Sequence, residues 1–246
     1  MYPAAKSLPL TAALELTVFG DSYSIPVHDG NRDWPTQLRA QGAVGTVHDF
    51  AKSGAIAASI GTNTFARQIR LWSGAGRPLG ATVVYLGYND IGGDLAKARA
   101  GYQAGIDALV EAGATSGGNR LILVLPHDVG STPLHNQTTA EAARFRSATK
   151  QWDGIVRSVA GKANAAVADV FAKIDDVLAH PGTYHFTNVT TPDHARSDTT
   201  ALYDDVFHFG EAGQAIIAAT IRARLGGGGA LVATRAEGRG QLVAES

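Results

Sequence analysis

The stretch "TVFGDSYS", from Thr17 to Ser24, leaves an apolar run and reaches a serine within five residues. Its three leading β-formers predict a short strand buried on both faces, and Gly20 allows the backbone to turn sharply at the strand end. Asp21 and Ser22 then follow at once. This segment has two interpretations. It is an ordinary turn, since Gly, Asp and Ser are all common turn residues, or it is a turn that holds Ser22 at the edge of a sheet as a nucleophile.

Similar apolar runs recur along the chain, with helical periodicity between them. The predicted strands are Leu16–Phe19, Thr46–Phe50, Ala81–Leu86, Arg120–Leu125 and Ala165–Val170. The clearest predicted helices are Leu95–Ala112, Thr138–Lys162 and Glu211–Leu225. Because strands and helices alternate, the sequence predicts an α/β fold with a five-stranded, mainly parallel sheet covered by helices on both sides.

The composition narrows the class of protein. The chain has 246 residues, 45% of them hydrophobic, which is enough for one large α/β domain with a sizeable core. A net charge of −1 gives no electrostatic reason to expect a nucleic-acid partner. The absence of cysteine excludes disulfides, a thiol nucleophile and thiolate metal sites. No apolar run approaches the ~20 residues of a membrane-spanning helix, so no span is expected.

The sequence predicts one domain with short additions at its ends. Residues 1–13 are interpreted as an N-terminal extension, residues 14–225 as the folded domain, and residues 226–246 as a flexible tail that opens with four glycines. No convincing signal peptide is evident, whereas N-glycosylation sequons at Asn136 and Asn188 hint at secretion. We therefore expect a secreted monomer, with a cytoplasmic location as the alternative.

Ligands of open parallel sheets bind beyond the carboxyl ends of the strands, so the residues after each predicted strand are candidates for a functional site. Ser22 follows the first strand. The later segments are "AKSGA" with Gly54, "GYND" with Asn89, "PHDVG" with His127 and, before the last helix, "DDVFHFG" with His208. Several of these groups suit acyl transfer.

His208 is the candidate general base. A serine hydroxyl is a weak nucleophile at neutral pH, and a neutral imidazole can take its proton and later return it to the leaving alcohol. Asp205, three residues earlier, can fold back to fix the tautomer of the ring. The alternative is a histidine that only caps the helix beginning near Gly210.

Three groups are candidates for an oxyanion hole, where donors must point at the oxygen on which charge develops. They are the backbone N–H of Ser22, the backbone N–H of Gly54 and the side-chain amide of Asn89. The alternative reading is that Gly54 is an unremarkable glycine and that "GYND" is a turn.

Taken together, "FGDSYS", "SGA", "GYND" and "DDVFH" resemble the four signature blocks of the SGNH (GDSL) hydrolases, in the family's order. Those blocks carry Ser, Gly, Asn and His. The resemblance covers about residues 14 to 225 and implies a flavodoxin-like three-layer α/β/α sandwich. It also implies a Ser-His-Asp hydrolase without metal or cofactor. The residues mapped onto the blocks are Ser22, Gly54, Asn89 and His208, with Asp205 as the orienting acid.

A finer resemblance concerns the substrate. "DWPTQL" and "FTNVTTPD" look like segments of fungal secreted GDSL esterases, which include acetyl esterases of plant-wall carbohydrate. The resemblance therefore implies a carboxylic ester hydrolase acting on small-molecule or carbohydrate esters, with short-chain or O-acetyl groups. A lipase, lysophospholipase or thioesterase of the same family is one alternative. A catalytically silent binding protein on the same fold is another.

Other polar and aromatic residues near the predicted sheet edge are candidates for contact with substrate. These are Asp21, Tyr23, Trp34, Tyr88, His127 and Phe207, with Asp128 considered in the same way. Trp34 fits packing better than stacking against a sugar. His180, His185 and His194 cluster in sequence, but their spacing fits no helical i, i+4 ligand pair, and no metal site is predicted.

Overall fold

The computed structural model describes residues 14–26, 32–194 and 200–226, and its centre is one five-stranded sheet. The strands are β1 Leu16–Gly20, β2 Val47–Asp49, β3 Ala81–Tyr85, β4 Arg120–Leu125 and β5 Ala166–Asp169. All neighbouring strands are parallel, in the order β2-β1-β3-β4-β5. This is the flavodoxin-like order. The predicted α/β fold and its five strands are confirmed, with boundaries that differ by at most one residue at either end.

Six α-helices accompany the sheet within the described ranges. They are α1 Trp34–Ala40, α2 Phe65–Ala75, α3 Leu95–Glu111, α4 Thr139–Ala163, α5 Val170–Ala179 and α6 Glu211–Leu225. The three predicted helices correspond to α3, α4 and α6. The three that were missed are short, and each begins after a side chain that caps its N-terminus. These caps are Asp33, Thr64 and Asp169, which accept hydrogen bonds from the N–H groups of the first helical turns.

The sheet separates two hydrophobic cores, which makes the molecule a three-layer α/β/α sandwich. One core packs α1, α5 and α6 against the sheet through buried residues that include Trp34, Ile174 and Ile217. The other packs α2, α3 and α4 against the opposite face, with Phe65 and Trp152 fully buried there. Because all strands are parallel, their carboxyl ends meet at one edge of this sandwich.

Gly20 ends β1 in a confined space. A Cβ at this position would lie 2.4 Å from the Oγ of Ser24, so only glycine fits without displacement. Gln68 of α2 holds the backbone on both sides of this residue: it accepts from the Gly20 N–H at 3.0 Å and donates to the Gly20 carbonyl at 2.7 Å. The chain then enters a 3-10 turn, Ser22–Ser24, at the carboxyl edge of the sheet.

The other predictions about domain organisation concern segments that the structure describes only in part. The long segment 180–203 contains a 3-10 turn at Pro181–Tyr184 and an isolated bridge between Asn188 and Ala201, and residues 195–199 lie outside the described residues. The predicted N-terminal extension and nearly all of the predicted tail also lie outside them, so the domain boundaries stay a prediction. None of the described helices has the length and apolar character needed to cross a membrane.

Candidate active site

The segment after β1 places Ser22 within reach of His208, 186 residues further along the chain. Asp21 is fully buried and caps the turn, because its carboxylate accepts from the Tyr23 N–H at 3.0 Å. The Ser24 N–H donates to the Asp21 carbonyl at 3.1 Å and closes the turn. In this geometry the Oγ of Ser22 lies 2.9 Å from the Nε2 of His208.

His208 sits on a second closed turn, residues 204–208. One carboxylate oxygen of Asp205, Oδ1, accepts from the N–H groups of Phe207 at 2.9 Å and His208 at 2.6 Å. The other, Oδ2, lies 2.7 Å from the Nδ1 of the His208 ring. The Asp204 N–H donates to the His208 carbonyl at 2.9 Å. Asp205 therefore fixes both the backbone of this turn and the orientation of the ring it carries.

The protonation state of Asp205 settles the tautomer of His208. Burial alone would raise the pKa of Asp205, but hydrogen bonds from the His208 side chain and from the His208 and Phe207 N–H groups outweigh it and hold the pKa at about 2. An ionised carboxylate only accepts, so Nδ1 of His208 carries the proton. The neutral ring then presents the lone pair of Nε2 to the Ser22 hydroxyl, as proton abstraction requires.

The segment after β2 is bound to both neighbouring loops. The Lys52 N–H donates to the Gly20 carbonyl at 3.1 Å, and the amide of Asn89 donates to the Ala55 carbonyl at 2.9 Å. Between these anchors, Gly54 has a φ of 68°, a conformation that glycine adopts at little cost. The structure thus brings together the segments of Ser22, Gly54 and Asn89.

Within the described residues, no protein acceptor pairs with the backbone N–H of Ser22 or of Gly54. Both groups are therefore free to donate to a substrate. One of the two amide hydrogens of Asn89 is used by Ala55, which orients the amide and leaves the other hydrogen for a ligand. That all three donors point at one oxygen stays a prediction.

Comparison with known proteins places the chain among the acylhydrolases. The family described as GDSL-like lipase/acylhydrolase matches residues 16–221. The chain belongs to this family. It is a carboxylic ester hydrolase of the SGNH type, and the similarity to that family predicted from its four sequence blocks is confirmed. No curated protein matches the chain.

Several solved structures share the fold of this GDSL hydrolase. An acetylxylan esterase from Geobacillus stearothermophilus is 18% identical, with 87% of this chain and 94% of that chain covered and a TM-score of 0.56. A serine-to-alanine and a histidine-to-alanine catalytic mutant of that enzyme match similarly. The acetyl xylan esterase AlAXEase is 17% identical, with 86% and 99% covered and a TM-score of 0.56. At these identities the likeness establishes the fold.

The predicted substrate contacts of the hydrolase fall into two groups. Asp21, Tyr23, Trp34 and His127 are all 0% exposed. In the described conformation they have no accessible surface with which to touch a substrate, and their contact with substrate stays a prediction. Trp34, for example, packs in the core and donates from Nε1 to the Oγ of Ser24 at 3.3 Å. The two partly exposed candidates are Tyr88 and Phe207.

His127 lies behind the turn that carries Ser22. Its ring is 4.6 Å from that of Tyr23 and 4.5 Å from that of Phe209, and its Nδ1 is 3.4 Å from the Tyr85 hydroxyl. Burial, reinforced by the nearby His208, lowers the pKa of His127 to about 3. The ring therefore stays neutral at ordinary pH. The neighbouring Asp128 faces Arg146 instead, at 2.6 Å.

Sequence reasoning missed Asp90, which follows Asn89 in "GYND". Its buried carboxylate accepts from the N–H groups of Ala57 at 2.8 Å and Ala58 at 3.3 Å, so it anchors the loop that carries Gly54. The signal was present, because a carboxylate in a turn at a strand end commonly binds backbone N–H groups.

The histidines considered for a metal site do not form one in the part of the chain that is described. No group of three or more His, Asp or Glu side chains there is arranged to hold a metal ion. His180 lies 3.0 Å from the carboxylate of Asp176 on the preceding helix, α5.

Proposed function

We propose that the protein is a serine esterase that removes short acyl groups, O-acetyl groups of carbohydrate above all, through an acyl-enzyme on Ser22. The observation that carries this proposal is the continuous chain from the Oγ of Ser22 to Nε2 of His208 at 2.9 Å and from Nδ1 of His208 to Asp205 at 2.7 Å. These are hydrogen-bond distances between a nucleophile, a base and an orienting acid.

The proposed reaction has two similar halves. The Oγ of Ser22 attacks the ester carbonyl while His208 takes the hydroxyl proton, and the imidazolium returns that proton to the leaving alcohol. Water then attacks the acyl-enzyme with His208 as the base again, releasing the acid. The N–H groups of Ser22 and Gly54 and the Asn89 amide would hold the negative oxygen, where each donor typically contributes about 10²–10³ in rate.

The preference for short acyl groups has two supports. Two of the structures that share the fold are described as acetylxylan esterases. In addition, the region behind Ser22 is filled by fixed rings: Tyr23 packs 5.0 Å from Tyr88 and 5.7 Å from Phe209, measured between ring centroids. A long acyl chain could enter there only by displacing them.

A substrate panel tests the proposal. We expect kcat/KM to be highest for p-nitrophenyl acetate and to fall steadily through the butyrate and octanoate esters. We also expect the enzyme to release acetate from acetylated xylo-oligosaccharides. Ser22→Ala should abolish both activities. A preference for octanoate would favour the lipase or lysophospholipase alternative. A preference for acyl-CoA would favour the thioesterase alternative. Hydrolysis by Ser22→Ala at the wild-type rate would remove Ser22 as the nucleophile.

A further inference from the structure

The side chain next to the nucleophile reaches the turn that carries the base. Tyr23 is fully buried, and its hydroxyl donates to the backbone carbonyl of Phe207, the residue before His208. The hydroxyl and the carbonyl belong to residues 184 positions apart. This bond therefore ties two segments that must hold Ser22 and His208 at a fixed separation.

The ring of Tyr23 fixes the direction of that hydroxyl. Its centroid lies 4.6 Å from the ring of His127, 5.0 Å from that of Tyr88 and 5.5 Å from that of His208. Burial raises the pKa of the Tyr23 phenol well above its usual value, and the neighbouring tyrosines and Asp21 add to the effect. The phenol therefore stays protonated and remains a donor.

Hydrogen bonds within the turn that carries His208 hold its shape. Asp205 bonds to the N–H groups of Phe207 and His208, and the Asp204 N–H bonds to the His208 carbonyl. These contacts keep the shape of the turn but cannot set its distance from β1. From the far side, the Leu134 N–H donates to the Val206 carbonyl at 2.8 Å.

We infer that Tyr23 is a positioning residue, whose hydroxyl bond to the Phe207 carbonyl sets the distance between Ser22 and His208. The inference rests on the proposed function, in which these two side chains transfer a proton. His208 acts in both acylation and deacylation, so a looser separation slows both steps. A misplacement of about 1 Å can cost on the order of 10² in rate.

The direct test is Tyr23→Phe, which removes the hydroxyl and keeps the ring. With p-nitrophenyl acetate we expect kcat to fall at least about tenfold, with KM changed less than about twofold because both steps slow together. The rate at which a fluorophosphonate labels Ser22 should fall in parallel, since it depends on the same activated hydroxyl.

Thr17→Val is the matched control. Thr17 is also fully buried, and its Oγ1 donates to the Pro78 carbonyl at 2.7 Å near the opposite end of β1 from Ser22. This variant loses the same kind of hydroxyl-to-carbonyl bond without touching the catalytic turns. We expect it to lower the urea midpoint as Tyr23→Phe does while kcat stays at the wild-type value.

Circular dichroism shows whether Tyr23→Phe is folded under assay conditions, and trimethylamine N-oxide can restore a partly unfolded sample. A folded Tyr23→Phe with the kcat of Thr17→Val, or with an increased KM and an unchanged kcat, overturns the positioning role. In that case, loss of activity in Ser22→Ala leaves the proposed function standing. Full activity of Ser22→Ala would instead overturn the proposed function itself.

Discussion

At the scale of single residues, Asp205 has two tasks that one carboxylate can perform together. Oδ1 holds the backbone of the turn through two N–H groups, and Oδ2 holds Nδ1 of His208. The second task alone decides where the imidazole proton resides. The two tasks can be separated, because an amide retains one oxygen acceptor.

We predict that Asp205→Asn leaves the protein folded but lowers kcat by about 10³–10⁴. The amide oxygen can still accept from the backbone, whereas the NH₂ would face Nδ1 and favour the tautomer with the proton on Nε2, which cannot accept from Ser22. Steady-state kinetics and circular dichroism measure the two effects. Asp94→Asn, at the exposed cap of α3, is the control and should keep full activity. An active Asp205→Asn enzyme would show that the tautomer is not set by this residue.

A second residue-scale prediction concerns His127 and stability. Burial first, and then the nearby His208, lower its pKa to about 3, whereas an unfolded histidine titrates near 6.5. Between these values the unfolded chain binds a proton that the folded chain does not. The free energy of unfolding should therefore fall with decreasing pH, by about 1.4 kcal/mol per pH unit from this residue.

Urea unfolding at pH 7 and pH 5 measures this effect. The stability lost between the two pH values should be about 2 kcal/mol smaller in His127→Phe than in the wild type. Asp21, whose pKa burial raises to about 7, changes stability in the opposite direction, but it is present in both proteins and cancels in the comparison. Equal losses in both proteins would contradict a buried, neutral His127.

At the scale of elements, helix α4 secures the turn that carries Asn89. The indole Nε1 of Trp152, in the middle of α4, donates to the Leu86 carbonyl at 3.0 Å, at the end of β3. The next residue, Gly87, has a φ of 122°, and a Cβ added there would lie 1.9 Å from that same indole nitrogen. The close fit between helix and turn thus depends on a glycine.

We predict that Gly87→Ala lowers the free energy of unfolding by about 3 kcal/mol or more, through backbone strain and displacement of Trp152. The paired control is Gly154→Ala on the exposed face of α4, where an added Cβ meets nothing within 4 Å. That change should stabilise the protein by about 0.5–1 kcal/mol, because alanine favours the helix. Urea denaturation measures both. Similar small effects at the two positions would mean that the contact between α4 and the turn can relax.

At the scale of the whole molecule, the parallel sheet explains why residues from 22 to 208 can form one site. Every strand points the same way, so the turns after β1, β2 and β3 share one edge, and the turn that carries His208 lies at that same edge, directly before α6 begins. Gly210 joins that turn to α6, and its N–H donates to the Leu202 carbonyl at 3.0 Å.

The strands were predictable because their apolar runs are short and buried on both faces, as the fully buried β1 and β3 show. The long helices were predictable from their periodicity. Helices α1, α2 and α5 were missed because 7 to 11 residues give few periods to recognise, and their caps lie in segments that read as loops. The candidate site was predicted from residue types at the ends of strands and before the last helix, and from their resemblance in order to the SGNH blocks.

What sequence reasoning could not provide is the set of contacts that depend on three-dimensional proximity. The bond of Tyr23 to the Phe207 carbonyl and the hold of Gln68 on Gly20 join residues far apart in the chain through groups that many side chains possess. Burial is a second such property: His127 looks accessible in sequence because a proline and an aspartate flank it, yet its side chain is enclosed.

The central claim is that Ser22 is activated by His208 at this shared edge, and covalent labelling tests it most directly. Incubation with a fluorophosphonate, followed by intact-mass and peptide mass spectrometry, should show one adduct per chain, on Ser22. The adduct should be absent in Ser22→Ala and form at least about 10³-fold more slowly in folded His208→Ala. A label on another residue, or labelling of Ser22 at an undiminished rate without His208, would contradict the account.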